Sequence, residues 1–409
     1  MEKNSNIQNP VRVSVALVTW VLALCAAIGP MTTRMYLPAF PEIAKSLQVP
    51  MVVVQQSLTA YLLGFCAMTP FCGTLSDMFG RKPLLVGGFL GYALASFGVS
   101  CSADVTFLLT CRALQGVFGC CGLVVGTAVV RDLFKDLEAQ KILAYITIVF
   151  AFAPALAPIA GGYIVASAPW QTIFYFMALL GVFLAAVCFF FLPESLPREQ
   201  RIKASLYVAL KDYFSAFSNR RFFVGSLAMG IAFIGQGVYV AGASDWCSNV
   251  MGLKPQDFWV LFIPFMLAQA AGAYFSTFLA RRITIARTIP FGFGCCLLAC
   301  LLSFVLMWTE WKDRLPFALM PLIVYSFGFS ILRPTLILVL MDFLPKSRGL
   351  ASSLQTFLQT FLFAMVSALV VPLIYGNASG YLAGLIVCGC LGFAVWQIAV
   401  FRVPARACD

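Results

Sequence analysis

Three arginines, Arg34, Arg112 and Arg333, lie inside or at the edge of long apolar runs. An arginine keeps its proton at any ordinary pH, and its planar fork matches carboxylates and phosphates in bidentate fashion. A charged side chain within a membrane-spanning run almost always faces protein or a water-filled cavity, because exposure to lipid is costly. The chemistry these residues offer is therefore non-covalent capture of an anion. Pro334, directly after Arg333, adds a backbone carbonyl freed from its helix one turn back. Other chemistry is poorly supplied. The chain has no histidine, which excludes a His-based proton relay, a His metal site and a Ser-His triad. Its 15 cysteines sit mostly in apolar runs, with no CxxC pair beside a polar, His-bearing loop. No acidic pair and no nucleotide-binding loop are present. An enzyme, a metal or cofactor protein and an ATP-driven pump are not expected.

The elements that must position these arginines are membrane spans. The chain is 61% hydrophobic and 11% charged, against about 25% charged in a soluble domain. Twelve apolar runs reach the roughly 20 residues a spanning helix needs, near 13–36, 51–72, 84–102, 105–130, 141–165, 171–192, 222–245, 256–280, 286–308, 316–341, 349–375 and 380–401. Twenty of the 27 Lys and Arg residues fall on alternate gaps, and only Lys45, Lys254, Lys312 and Arg314 fall on the others. Lys/Arg-rich loops stay cytoplasmic, so both termini are expected in the cytoplasm of a multi-pass protein. The net charge of +11 is a topology signal and a contact for anionic lipid; the cations border apolar runs, and nucleic acid is not an expected partner. The first run, ending at Pro30 and a polar TTR, is too long for a signal peptide and is taken as a retained span.

The longest polar stretch separates spans six and seven. It divides the chain into an all-α six-helix bundle (1–192), a cytoplasmic linker (193–221) and a second bundle (222–409). Within the linker, Leu206, Leu210, Tyr213, Phe214 and Phe217 oppose Lys203, Lys211 and Asp212, the pattern of a helix lying along the membrane surface. Two such bundles imply a central cavity.

The sharpest motif joins spans two and three: GTLSDMFGRKP at 73–83. Gly73 is expected to let helices approach closely, and Gly80 to supply the positive φ of a tight turn. Asp77 and Arg81 are four apart and can pair with each other or with Asp132 at the end of span four. This segment resembles the signature loop of the major facilitator superfamily, GxxxDxxGRK. Arg112, Gln115 and Gly116 in span four resemble the family's RxxQG motif. APALAPIAGG at 153–162, with Pro154, Pro158 and Gly162, resembles its antiporter motif in span five, where proline and glycine bend a helix at the domain interface. The equivalent turn between spans eight and nine, ARRIT at 280–284, has lost its Gly and Asp. A narrower resemblance rests on MYLPAFP at 35–41, Arg131 and Asp132, LPESL at 192–196 and GLASSL at 349–354. These look like the Bcr/CflA drug-efflux subfamily, whose members are bacterial inner-membrane, proton-coupled exporters of bicyclomycin, chloramphenicol and similar compounds.

That subfamily has Asp before the Met-Tyr-Leu-Pro of span one, where this chain has Arg34. None of its 16 acidic residues lies near the middle of an expected span, and Asp245 comes close only to the outer end of span seven. Arg34 and Arg333 are expected to face each other from opposite bundles and to bind a small organic anion, a polycarboxylate or a carboxylate siderophore. The alternative is proton-coupled multidrug antiport, and coupling to a proton or counter-anion stays open. Arg112 is assigned to structure or coupling. Gln55, Gln56, Tyr61, Gln115, Gln269 and Gln355 are polar positions that could line the cavity, with Gln236, Tyr239 and Gln359 carried as substrate contacts. A monomer is expected.

Overall fold

The computed structural model describes residues 15–134, 136–201, 218–344 and 348–400. The amphipathic linker segment, Lys135, Lys346 and both chain ends lie outside these residues. Every spanning element is helical, as it must be where no water can satisfy backbone N–H and C=O groups. The first six spans are Val15–Arg34, Met51–Phe79, Arg81–Ser100, the pair Val105–Gly119 and Cys121–Leu133, Asp136–Ser167 and Gln171–Phe191. The second six are Arg220–Ala241, Trp259–Ala280, Ile285–Met307, Met320–Asp342, Arg348–Met365 (continued to Ile374) and Ala378–Val400. Among the described residues eleven helical stretches are long and apolar enough to cross a membrane. Asp136–Ser167, apolar over Phe152–Ser167, makes the twelfth. Local caps set several starts. The Asp104 carboxylate accepts from the Phe107 N–H at 2.9 Å ahead of span four, and Asn219 accepts from Arg221 and Phe222 ahead of span seven.

The same pairings recur in each half. Span one packs on five, two on four and three on six; likewise seven packs on eleven, eight on ten and nine on twelve. Large apolar side chains cover the outside, among them Leu94, Phe190, Tyr274 and Leu373, as a surface solvated by lipid requires. Asp245 is fully buried at the end of span seven, away from that surface. Its carboxylate accepts from Asn249 Nδ2 at 2.7 Å, the Gly376 N–H at 2.8 Å and the Tyr381 hydroxyl at 2.8 Å, tying span seven to the start of span twelve.

Packing within a bundle depends on backbone approach, since lipid gives apolar side chains no reason to prefer one another. Spans two and four touch through Gly64 and Gly116. A Cβ added at Gly116 would lie 2.0 Å from the Tyr61 carbonyl oxygen, and one at Gly64 would lie 2.1 Å from that of Ala113. Gly73 differs: an added Cβ would meet nothing within 4 Å, so the close approach expected there is not made, because span two faces open space at that level. Gly80 has φ +99°, which joins two spans through one residue. Overpacking a tight helix crossing costs about 1–3 kcal/mol. Gly116→Ala should therefore lower the thermal unfolding temperature of the detergent-purified protein by several degrees, while Gly87→Ala, in open space, should leave it unchanged.

Candidate functional site

Each of the three arginines has found a different environment. Arg112 is fully buried in the first bundle. Its guanidinium lies 4.1 Å from the centroid of the Tyr36 ring, 4.8 Å from Tyr61 and 5.9 Å from Phe174. It donates to the Ser57 carbonyl at 3.4 Å and to Gln115 Oε1. Gln115 in turn donates to Ser96 at 2.6 Å. No carboxylate takes part. Cation–π contacts are worth up to about 2 kcal/mol each when desolvated, and the cage substitutes for an ion pair. Tyr36 is held over the guanidinium by its hydroxyl, 3.1 Å from Ser57 Oγ, which gives the tyrosine of the MYLP segment a physical task.

Arg34 is the last residue of the first helix, where the negative end of the helix dipole meets its charge. It is half-buried, points across to the second bundle, and lies 5.9 Å from the Phe262 ring and 6.0 Å from Phe265 in span eight. Among the described residues it has no hydrogen bond and no acidic partner. Arg333 is solvent-accessible and lines a pocket in the second bundle with Gln355 and Gln359 of span eleven and Met229 of span seven. It too has no acidic partner among the described residues.

The two do not share one site. Arg34 lies level with Phe262 and Phe265, whereas Arg333 lies just beyond Ile331, whose carbonyl accepts from Ser276 at 3.3 Å. From Phe265 to Ser276 is roughly 16 Å at about 1.5 Å per residue. The expectation that they face each other is corrected accordingly. Arg34 lies toward the end of the molecule far from the arginine-rich loops, and Arg333 in the half nearer to them (the basic end).

The other expected contacts divide. Gln359 shares the Arg333 pocket. Gln236 is buried and accepts from Gln269 Nε2 at 3.1 Å, so its oxygen is taken by a neighbouring span. Tyr239 is core: its ring packs on Tyr381 at 5.4 Å and Trp246 at 6.1 Å with 1% exposure. At the basic end, Arg81 bridges Asp77 and Asp132, donates to Ser76, and through its backbone N–H donates to Glu194 at 3.0 Å. Spans two, three and four and the start of the linker are thereby tied together. Pro154 and Pro158 are buried within span five. Gly161 and Gly162 sit where that span meets its neighbours: added Cβ atoms would lie 1.7 Å from the Met35 carbonyl oxygen and 2.1 Å from that of Pro255, in the other bundle.

Sequence reasoning missed the clasp between the bundles. Gln55 Nε2 and Thr59 Oγ1 of span two both donate to Ser367 Oγ of span eleven, at 3.2 and 3.0 Å. Gln56 reaches the Ala368 carbonyl at 3.5 Å. Ser367 and Ala368 lie in a π-helical turn, Val366–Val370, a distortion frequent at functional positions. With Gly162 on Pro255, these contacts close the far end.

A twelve-helix molecule of two matched halves, clasped across a polar seam, decides its kinship, and the sequence agrees: the family model described as Major Facilitator Superfamily matches residues 22–367. The chain belongs to the major facilitator superfamily. Several of its relatives carry names of bicyclomycin resistance or multidrug transport proteins. It is 36% identical over 271 residues to an uncharacterized MFS-type transporter, YdgK, of Bacillus subtilis, covering 66% of this chain and 67% of that one. It is 33% identical over 242 residues to a bicyclomycin resistance protein homolog of Haemophilus influenzae, covering 59% and 61%. The match thus spans about three fifths of the latter's length. Among solved structures, a D-xylose–proton symporter superposes with a TM-score of 0.73 over 95% of this chain and 98% of that one, at 14% identity, a likeness of fold alone. This major facilitator protein holds its far end shut with a few neutral hydrogen bonds, each worth about 1 kcal/mol net. Combining Thr59→Val with Ser367→Ala should therefore shift the population toward a far-side-open form. Electron–electron resonance distances between spin labels on spans two and eleven, in a cysteine-depleted background, should gain a longer component.

Proposed function

We propose that this protein is a secondary transporter of the drug-efflux kind. It exports small organic molecules across the bacterial inner membrane, with its arginine-rich face and both termini in the cytoplasm. The observation that carries the reading is the clasp at the far end together with an accessible Arg333 in the basic half. Such an arrangement suits the cytoplasm-open state of an alternating-access carrier, in which the bundles rock about a site between them. Kinship with the multidrug-efflux branch supports the direction.

In the opposite state the basic ends would close. The open space beside Gly73 gives span eleven room to approach span two there. The Arg81–Asp77–Asp132 network then presents a rigid edge, with Gly73 and Gly80 as its close-approach and turn positions. Pro154, Pro158 and Gly162 form the bend on which span five pivots. Arg112 keeps the first bundle's core in one piece. Arg34 does not release its proton at any ordinary pH, so a proton-coupled cycle would have to use a different group from the span-one acid of the subfamily.

A second reading, transport of a small organic anion, is supported by Arg34 and Arg333, neither of which has a carboxylate partner among the described residues. The two readings are tested in turn, in cells and in proteoliposomes. Cells expressing the protein should accumulate severalfold less radiolabelled chloramphenicol than cells expressing Arg81→Ala at equal membrane abundance; equal accumulation would remove the efflux reading. In proteoliposomes, loss of citrate uptake on Arg34→Asp would favour the anion reading, and wild-type movement of lipophilic cations in exchange for protons would count against it.

A further inference from the structure

The pocket around Arg333 is built for more than a stray cation. Arg333 stands nine residues before the end of its helix at Asp342, about 13 Å from the basic end, too deep for its side chain to reach the membrane surface. Beside it, Gln355 is 6% exposed, and both its amide oxygen and its amide nitrogen lack a hydrogen-bond partner. A buried amide left in that condition costs about 1–3 kcal/mol per group, so the site is incomplete as it stands. Gln359, Thr356 and Ser352 line the same pocket, and Met229 and Ile337 supply apolar wall. The Thr356 hydroxyl donates to the Ser352 carbonyl at 3.0 Å and so offers the pocket only a lone pair. Pro334 removes the helical bond to the carbonyl of Ser330 one turn away.

The geometry points to a carboxylate subsite formed by Arg333, Gln355 and Gln359, which takes the anionic group of an otherwise apolar substrate entering from the basic end. This names a substrate class for the transporter proposed above and rests on that reading. A single guanidinium neutralises one negative charge. A phosphate monoester carries about −1.5 to −2 at neutral pH and would leave charge uncompensated among neutral amides. A carboxylate is planar, accepts the bidentate fork of Arg333, and retains lone pairs for a glutamine N–H. The pocket volume is about 50 Å³, room for one carboxylate, with the organic body of the ligand left in the cleft.

The test compares two ligands of one shape, 1-naphthoate and the neutral 1-naphthamide, titrated calorimetrically into the full-length protein in zwitterionic nanodiscs. Wild type should bind the carboxylate at least tenfold more tightly than the amide. Arg333→Gln should abolish that preference while leaving amide affinity and unfolding temperature unchanged, which shows that the variant is folded. Gln355→Glu should abolish it as well, by supplying the carboxylate from the protein itself, and Arg333→Lys should restore part of it. Equal affinity of wild type for the two ligands overturns the subsite. So does a preference that survives Arg333→Gln but disappears in Arg34→Gln, which would place the anion at the far end. An Arg333-dependent rise in unfolding temperature in phosphatidylserine nanodiscs, without any naphthoate preference, would assign the pocket to a lipid headgroup and also overturns it. A wild type that fails to export chloramphenicol but prefers naphthoate would remove the efflux reading and leave the subsite standing.

Discussion

A guanidinium enclosed by lipid-facing helices has to be solvated by the protein, and here the usual solvent, a carboxylate, is missing. Removing an ion from water costs several kcal/mol even after relaxation. Arg112 offsets much of that cost with three aromatic rings, a backbone carbonyl and Gln115, leaving only its Nη2 without a hydrogen bond. This fixes the relative placement of spans one, two, four and six, because Tyr36, Ser57, Tyr61, Gln115 and Phe174 must all converge on one point. The cage works only if spans two and four approach to backbone contact, which the glycine pair Gly64 and Gly116 permits. The charge and the close crossing therefore support each other.

The seam between the bundles follows a different physical rule. Apart from Arg34 over Phe262 and Phe265, its described contacts are small residues and neutral hydrogen bonds: Gly162 against Pro255, Gln55 and Thr59 on Ser367. Neutral hydrogen bonds are modest in net energy, and glycine contacts leave no interlocking side chains to disengage. A seam of this kind holds one arrangement while leaving another within a few kcal/mol, the range in which a bound molecule can shift the balance. Among the described residues the ion pairs lie within the first bundle or the start of the linker, as with Arg81, Asp77 and Asp132. Breaking an ion pair at every turn of a transport cycle would be far more costly.

Much of this was legible in the sequence. Hydropathy gave all twelve spans, because a spanning helix has a length fixed by the bilayer and a composition fixed by lipid. Charge asymmetry distinguished the basic end, and the spacing of Asp77 and Arg81 anticipated their pairing. The depth of a residue was not legible. Arg34 and Arg333 each sit in a span, but their height relative to each other depends on where neighbouring helices begin and how they cross, which only contacts such as Ser276 to Ile331 reveal. Tyr239 and Gln236 illustrate the same limit. A polar side chain on a cavity-lining span can be satisfied by the next span, as Gln236 is by Gln269, and one-dimensional periodicity does not distinguish the two cases. The clasp was hidden because Ser367 is an unremarkable serine until a π-helical turn sets it opposite Gln55 and Thr59.

The two accessible arginines also bear on how a carrier of this kind avoids leaking. Closing the basic end over Arg333 takes its guanidinium out of water, and with nothing bound that charge would be enclosed beside the Gln355 amide, already short of partners. With a carboxylate in place the enclosed pair is close to neutral and hydrogen-bonded, so the same movement carries a smaller penalty. On the subsite assignment, then, the loaded carrier crosses more readily than the empty one, and the resulting bias favours exchange over slippage. An ionisable acid at that position could reach the same end by taking up a proton. A fixed cation has no such recourse, and coupling then has to come from the charge of the cargo.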